Sequence, residues 1–424
     1  MRNVIKRPVL TSNGCPHFAV WLTLVYFYFM NLFANYWDSG FVGRVYAVSV
    51  FAIIILYTLL NRRLPQIHIH VPLLLFLVIM LFASKKAIQD NNLYWVTMYL
   101  MLTGLVFVLS GTSNWLEKLW PTMITLGMIH VVATILFYIC NPWLYNAVML
   151  PIWGDIPGGC TAADTYKAGL SNHYSANGIY CCAVCLALGA SVIVKPKNKK
   201  RKKEIVMLIM AVFALLLTTK RGPLLFIFLA LIVTYYICNP TSGVNKSFYI
   251  MLFGVIALIL FYMLAPILPV FGNILNRFTE AEDISSNRFT FWEIAYQLFL
   301  TNKIWGIGWG EFISMSRTGT SVHNIYIQLL CETGIVGLAV FLLAAIGIYR
   351  TAIKDYRKHS QTMKDWQKYS LAGAIAVQTF IIAYGFTGNC LYDMTVFVYY
   401  LSLAASLSVH YALNPRKNKS QRAV

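Results

Sequence analysis

Charge is what this sequence has least of. Asp, Glu, Lys and Arg together supply 12% of its 424 residues, and only 15 side chains are acidic. Soluble domains carry about a quarter of their residues as charges, so neither a soluble globular domain nor a solvated disordered chain fits. Patterned cysteine is lacking too. The nine cysteines are odd in number and show no ligand spacing, and Cys181, Cys182 and Cys185 sit in an apolar run where they read as small packing residues. That leaves no disulfide framework, no metal site and no expected cofactor. There is no internal repeat, and the one low-complexity tract is the basic run 195–203. No cleavable signal is expected, since Arg2, Lys6 and Arg7 lead straight into a full-length apolar stretch.

Hydrophobic residues make up 58% of the chain, at a mean hydropathy of +0.63. They recur in runs near the ~20 residues that cross a bilayer. The expected fold is an all-α polytopic membrane protein, one domain over 1–424, with about 12 transmembrane helices. The runs fall at 18–36, 43–60, 71–84, 93–111, 120–140, 177–194, 205–219, 223–238, 247–266, 325–348, 369–388 and 394–411. The net charge of +19 does not point to nucleic acid, because the cations cluster in short connections. Lys and Arg mark cytoplasmic loops. KPKNKKRKK at 195–203 and the basic cytoplasmic loop 349–368 therefore place both termini inside. Between 205 and 238 one helix would be about 51 Å long at ~1.5 Å per residue, far beyond a ~30 Å core. Two short helices meeting at Lys220-Arg221-Gly222-Pro223 resolve this, because Gly and Pro favour a break.

Two outer segments remain, 141–176 and a large outer loop 267–324 before the tenth span; both are rich in Trp, Tyr, Ile and Gly rather than disorder-prone. The cations assigned outside are Arg44, Lys85, Lys86, Lys167, Lys220, Arg221, Arg277, Arg288, Lys303 and Arg317. Arg221, Arg277 and Arg288 draw the most interest, since a guanidinium grips phosphate oxygens in pairs and stays charged when half-buried. Each alone could equally be solvated or bind a lipid headgroup. Of the eight histidines only His173 and His323 fall in outer loops. His323 precedes Asn324 and a membrane helix, whose N-terminus favours an anion and disfavours imidazolium, as suits a general base. It could also simply satisfy backbone groups there. Glu332 lies nine residues on, about half a turn out of phase, and reads as a structural hydrogen-bonding carboxylate. Trp292, Trp305 and Trp309 could stack on sugars but fit an interfacial belt better. The outer acids Glu280, Glu282, Asp283, Glu293 and Glu311 show no glycosidase-like pairing.

At these residues the chain resembles the O-antigen ligase and O-antigen/capsular polysaccharide polymerase superfamily. His323, Asn324, Gly334 and Gly337 match the family's histidine signature. Ser286, Arg288, Trp292, Gly306 and Gly308 resemble its S-x-R-x(3)-W pattern and following G-x-G, and Arg221 in TTKRG resembles the arginine that ends an earlier span. The resemblance implies a metal-independent, inverting glycosyltransferase in the cytoplasmic membrane, facing the periplasm or cell exterior. Its donor would be an oligosaccharide on polyprenyl pyrophosphate. Arg221 and Arg288 would bind the pyrophosphate and His323 would orient or deprotonate the attacking hydroxyl, with Arg277, Asn324, Lys220, Arg44 and Trp292 contacting substrate. The acceptor would be a lipid-linked repeat unit for a polymerase, or lipid A-core for a ligase. Polymerases are the more numerous group, so that reading is preferred. Membrane lipids, a flippase and a chain-length regulator are the further expected partners. A transporter of the same lipid-linked glycan is the competing class. It is disfavoured by few intramembrane charges, no repeat, and polar residues gathered at one face.

Overall fold

The computed structural model describes residues 14–33, 43–53, 67–89, 94–195, 199–239, 287–316 and 319–414. The expected ninth span, Arg277, and the part of the large outer loop before residue 287 lie outside them. The principal helices are α1 (Gly14–Phe29), α2 (Gly43–Ile53), α3 (Val71–Ala83), α4 (Tyr94–Ser110), α5 (Leu116–Ile139), α6 (Tyr174–Val194), α7 (Lys199–Leu217) and α8 (Arg221–Cys238). They are followed by α9 (Arg288–Thr301), α10 (Ile325–His359), α11 (Asp365–Tyr384) and α12 (Thr395–Leu413). Among the described residues five helices, α5, α6, α8, α10 and α12, are long and apolar enough to cross a membrane by length and composition. With the shorter apolar α2, α3 and α4 they make an all-α membrane protein.

The core sits where side chains are smallest. On α6 the run CCAVCLALGAS is buried throughout, and α12 is buried along nearly its whole length. Lipid tails are as apolar as Leu, so such helices are held by close van der Waals contact, which small residues permit. Helix α6 packs against α5, α7, α8 and α11, and α12 against α11, α4 and α10. A polar ladder crosses this interior, where Gln378 Nε2 donates to Ser406 Oγ at 2.8 Å.

The break expected near Gly222-Pro223 is present, slightly earlier than those residues. Helix α7 ends at Leu217, Thr219 takes φ +56°, and α8 starts at Arg221 with Lys220 as its N-cap. Gly222 and Pro223 lie in the first turn of α8, where proline's missing N–H leaves no bond unmade. The basic connection 349–368 is mostly helical: α10 continues to His359, and α11 resumes at Asp365.

Contacts sort the connections into two ends. At one end Lys195 pairs with Glu204 at 2.6 Å, His410 Nδ1 meets Asp355 at 2.7 Å, and His68 stacks on Tyr411 at 4.0 Å. At the other lie 84–89, 141–173, the 218–220 turn, 302–324 and 385–394, joined by the contacts described next. The basic stretches and the candidate site residues therefore occupy opposite ends.

Candidate functional site

Backbone strain marks this second end. Among the described residues three non-glycine positions have left-handed φ: Thr219 at +56°, Asn287 at +62° and His323 at +58°. Each such residue costs roughly 1–3 kcal/mol and persists only where the surroundings enforce it, most often at functional sites. Thr219 immediately precedes Lys220 and Arg221, Asn287 precedes Arg288, and the third is His323 itself. Three distant segments each expected to supply site residues are thus the three that carry strain.

The structure brings them together around His323. Its imidazole feels both the Arg288 and the Lys220 charge. Burial, then those two cations, hold it down to about 4, so it is neutral at physiological pH. Thr320 Oγ1 lies 3.5 Å from Nε2, the Phe291 ring centroid 6.5 Å away, and Asn389 Nδ2 3.1 Å from Nδ1. Lys220 sits over the Tyr174 ring at 4.2 Å, and its stem runs across Gly178, where a Cβ would come within 3.0 Å of it. Arg221 begins α8 at the same turn. Its neighbour Gly222 abuts the Tyr384 ring, which also lies within reach of the Arg288 charge.

Sequence reasoning missed two residues here. Asp393 precedes α12 and accepts from the Thr395 backbone N–H at 2.8 Å. Burial pushes its carboxyl up to about 6, against the Thr395 bonds and the Lys220 charge. Asn389 was missed as well. The available signal was that an acid among only 15 stood at the edge of a span; a lone Asn in GFTGNCLYDM offered none. His173, the other outer histidine, caps α6, with Nδ1 accepting from Ser175 N at 3.0 Å. Burial and Lys220 lower its pKa, matching that acceptor role.

The first turn of α10 does not offer its N–H groups to an anion. Ile325 N donates to the Gly385 carbonyl at 2.9 Å, and Tyr326 and Ile327 N donate to Asn324 Oδ1 at 3.0 and 3.1 Å. Asn324, expected at the substrate, is a buried N-cap. These N–H groups are satisfied within the protein.

A main-chain clasp supports the site. Helix α10 is interrupted at Gly334 (φ +66°, ψ −172°), and the segment 303–308 runs alongside the gap. Ile307 N donates to the Cys331 carbonyl at 2.9 Å, Gly308 N to Glu332 at 3.0 Å, and Ile335 N to Lys303 at 3.0 Å. Glu332 is fully buried and accepts four hydrogen bonds, from Gly310 N (2.8 Å), Phe312 N (3.3 Å), Gln328 Nε2 (3.2 Å) and Tyr392 Oη (2.7 Å). Its expected structural role is what this geometry provides. Trp309 is neither a belt residue nor a sugar platform. It is 2% exposed, stacks on Tyr392 at 4.7 Å, and donates its backbone N–H to Ala83 at 2.8 Å.

The remaining expectations divide. Glu311 is taken by Lys86 at 2.5 Å, and Glu293 accepts from Gln297 at 2.8 Å. Trp292 packs on a small cluster with Ala295, Phe312, Val322 and Cys331 and stands edge-on to Phe289 at 5.3 Å. Trp305 is exposed. Arg44 starts α2 and is exposed, beside Gly43, which abuts Tyr94. Lys167 is buried and pairs with Asp164. Arg277, Arg317, Glu280, Glu282 and Asp283 lie outside the described residues.

No curated protein matches the chain. Residues 205–342 match the family model described as O-antigen ligase. That segment holds the 217–221 turn, α9, the clasp and His323, so the match supports the resemblance to the O-antigen ligase/polymerase superfamily read from the motifs.

Proposed function

We propose that this protein polymerises a surface polysaccharide on the outer face of the cytoplasmic membrane. It would transfer a glycan from polyprenyl pyrophosphate to a sugar hydroxyl of another lipid-linked repeat unit. The observation that carries the reading is the convergence of Lys220–Arg221, Arg288 and neutral His323, each from a strained segment, at the end opposite the basic connections. Cations at that end have an anionic diphosphate to meet.

In the proposed reaction, the acceptor oxygen attacks the anomeric carbon from the face opposite the pyrophosphate, inverting it. The carbon–oxygen bond to pyrophosphate breaks with its electron pair, and polyprenyl pyrophosphate leaves. Arg288, Arg221 and Lys220 stabilise the charge that develops on the leaving group. The hydroxyl proton passes to a ring nitrogen of His323, which is available because burial and the two cations keep it neutral. Pyrophosphate is a good leaving group, so neither a general acid nor a metal is assigned a step.

A ligase uses the same donor and the same residues, and the description of the matching family favours keeping it as the second reading. It differs only in the acceptor, lipid A-core or another terminal sugar. A broken helix also occurs in transporters, but here the gap in α10 is filled by the main chain of 303–308. Gel and lipid-linkage analysis of surface glycan separates the three. Cells lacking the protein would be compared with cells restored by wild type or by His323→Ala. Single repeats on their acceptor identify a polymerase, and long chains stranded on polyprenyl pyrophosphate identify a ligase. Restoration of the wild-type pattern by His323→Ala removes the catalytic reading and favours transport.

A further inference from the structure

We propose that Asn389 is the positioning residue of His323: its side-chain oxygen accepts the Nδ1–H of the ring, which leaves Nε2 as the nitrogen that receives the acceptor's proton. This rests on the reading of His323 as proton acceptor given above.

Asn389 reaches the imidazole from the connection between α11 and α12. Its carboxamide is shared between two groups of the same short segment, His323 Nδ1 at 3.1 Å and Ser321 Oγ. With the amide nitrogen turned to the ring, Oδ1 is buried without a partner. That orientation also demands a bare Nδ1, which puts the proton on Nε2 and removes the ring's capacity to act as a base there. The two ends of a carboxamide are nearly isosteric and exchange by a half-turn about Cβ–Cγ. With oxygen turned to the ring, one acceptor serves both the Nδ1–H and the Ser321 hydroxyl. Nε2 is then the free nitrogen, and Thr320 Oγ1 at 3.5 Å shows that a hydroxyl can approach it.

The same connection fixes the backbone beside the ring. Gly385 O accepts from Ile325 N at 2.9 Å, so 385–389 holds the segment around His323 at two points. The charged groups acting on His323 are Arg288 from α9 and Lys220 from the 218–220 turn, while Asp393, from Asn389's own connection, acts on Lys220. None of the described carboxylates is hydrogen-bonded to the imidazole. A neutral acceptor at 389 thus orients the ring without drawing a proton onto it, which a carboxylate would do.

The test uses full-length protein in liposomes. Diethyl pyrocarbonate labelling of His323 is followed against pH by peptide mass spectrometry, in parallel with transfer from a polyprenyl-pyrophosphate glycan. In Asn389→Asp the labelling midpoint is expected to rise by about one pH unit or more, and the acid limb of transfer to rise with it. In Asn389→Ala the turnover number is expected to fall about 10–100-fold with the apparent donor KM unchanged. An unmoved midpoint in Asn389→Asp overturns the pairing, as does full transfer with a wild-type pH profile in Asn389→Ala. A shifted midpoint combined with unimpaired transfer by His323→Ala overturns the function assigned to His323 instead, so the two failures are told apart.

Discussion

Gly306 and Gly334 each press against the main chain just before the other, Gly306 on Glu332-Thr333 and Gly334 on Ile304-Trp305. A Cβ on Gly306 would lie 2.3 Å from the Glu332 carbonyl carbon, and one on Gly334 would lie 2.1 Å from the Ile304 carbonyl oxygen. Neither obstacle is the end of a flexible side chain, so neither can swing away. Both glycines also have left-handed φ, +75° and +66°.

Gly334→Ala and Gly306→Ala are therefore expected to deplete folded protein. The left-handed backbone alone costs an Ala roughly 1–2 kcal/mol, and opening the clasp adds to that. Fluorescence-detected size exclusion and thermal melts in detergent check it. Gly104→Ala and Gly347→Ala serve as controls, since an added methyl there meets nothing within 4 Å. Both should retain the wild-type profile.

Arg288→Ala and His323→Ala should each lower transfer by about 100-fold or more while leaving insertion and abundance intact. Arg288→Lys should also be poor, because a point charge does not reproduce a planar fork. Measured transfer per unit of membrane protein checks both. Full activity of both alanine variants at normal abundance would remove the assigned roles.

Glu332→Gln should behave differently. Replacing one carboxylate oxygen by an NH2 sets a donor against the backbone N–H of either Gly310 or Phe312, and forces the Tyr392 hydroxyl or the Gln328 amide to turn and accept instead. Leaving such buried groups unmatched costs about 1–3 kcal/mol each. The expected outcome is reduced abundance with nearly normal specific activity. A stable but inactive protein would contradict the structural role.

The pH profile has a defined sign. His323 titrates near 4 in the folded protein, against an ordinary value of 6.5. Its neutral form is then the working form throughout the neutral range, and transfer should fall only as pH drops toward 4. The unfolded chain takes up this proton first, so the stability contributed by the buried neutral ring is present above about 6.5 and is lost as pH falls toward 4. Arg288→Ala removes one of the cations, so the residual activity should show an acid limb at higher pH.

Much of this was legible in the sequence, for reasons that differ by residue. The break between α7 and α8 could be read because a largely apolar stretch of 34 residues, 205–238, does not fit one bilayer crossing and Lys220-Arg221-Gly222-Pro223 interrupts it. The structural part of Glu332 followed from helical phase alone. Trp309 and Asn324 could not be placed correctly, since an indole in a belt and one in a core have the same local sequence, as do a capping and a substrate-binding Asn. Only the approach of Tyr392 and Ala83, and the seat of Tyr326 N–H, decide between them. Asn389 was invisible because its partner lies 66 residues away, and nothing local distinguishes it.

The clasp separates what holds the site from what lines it. Segments 303–308 and 331–336 are joined through amides and carbonyls, which every residue except proline carries alike. Besides the two glycines, the Glu332 carboxylate is the side chain there that secures the join, through the Gly310 and Phe312 N–H groups. The lining can consequently diverge toward a new sugar or a new acceptor while the frame that carries His323 keeps its shape. On the proposed function, one membrane scaffold built this way can be retuned to join chemically unlike glycans.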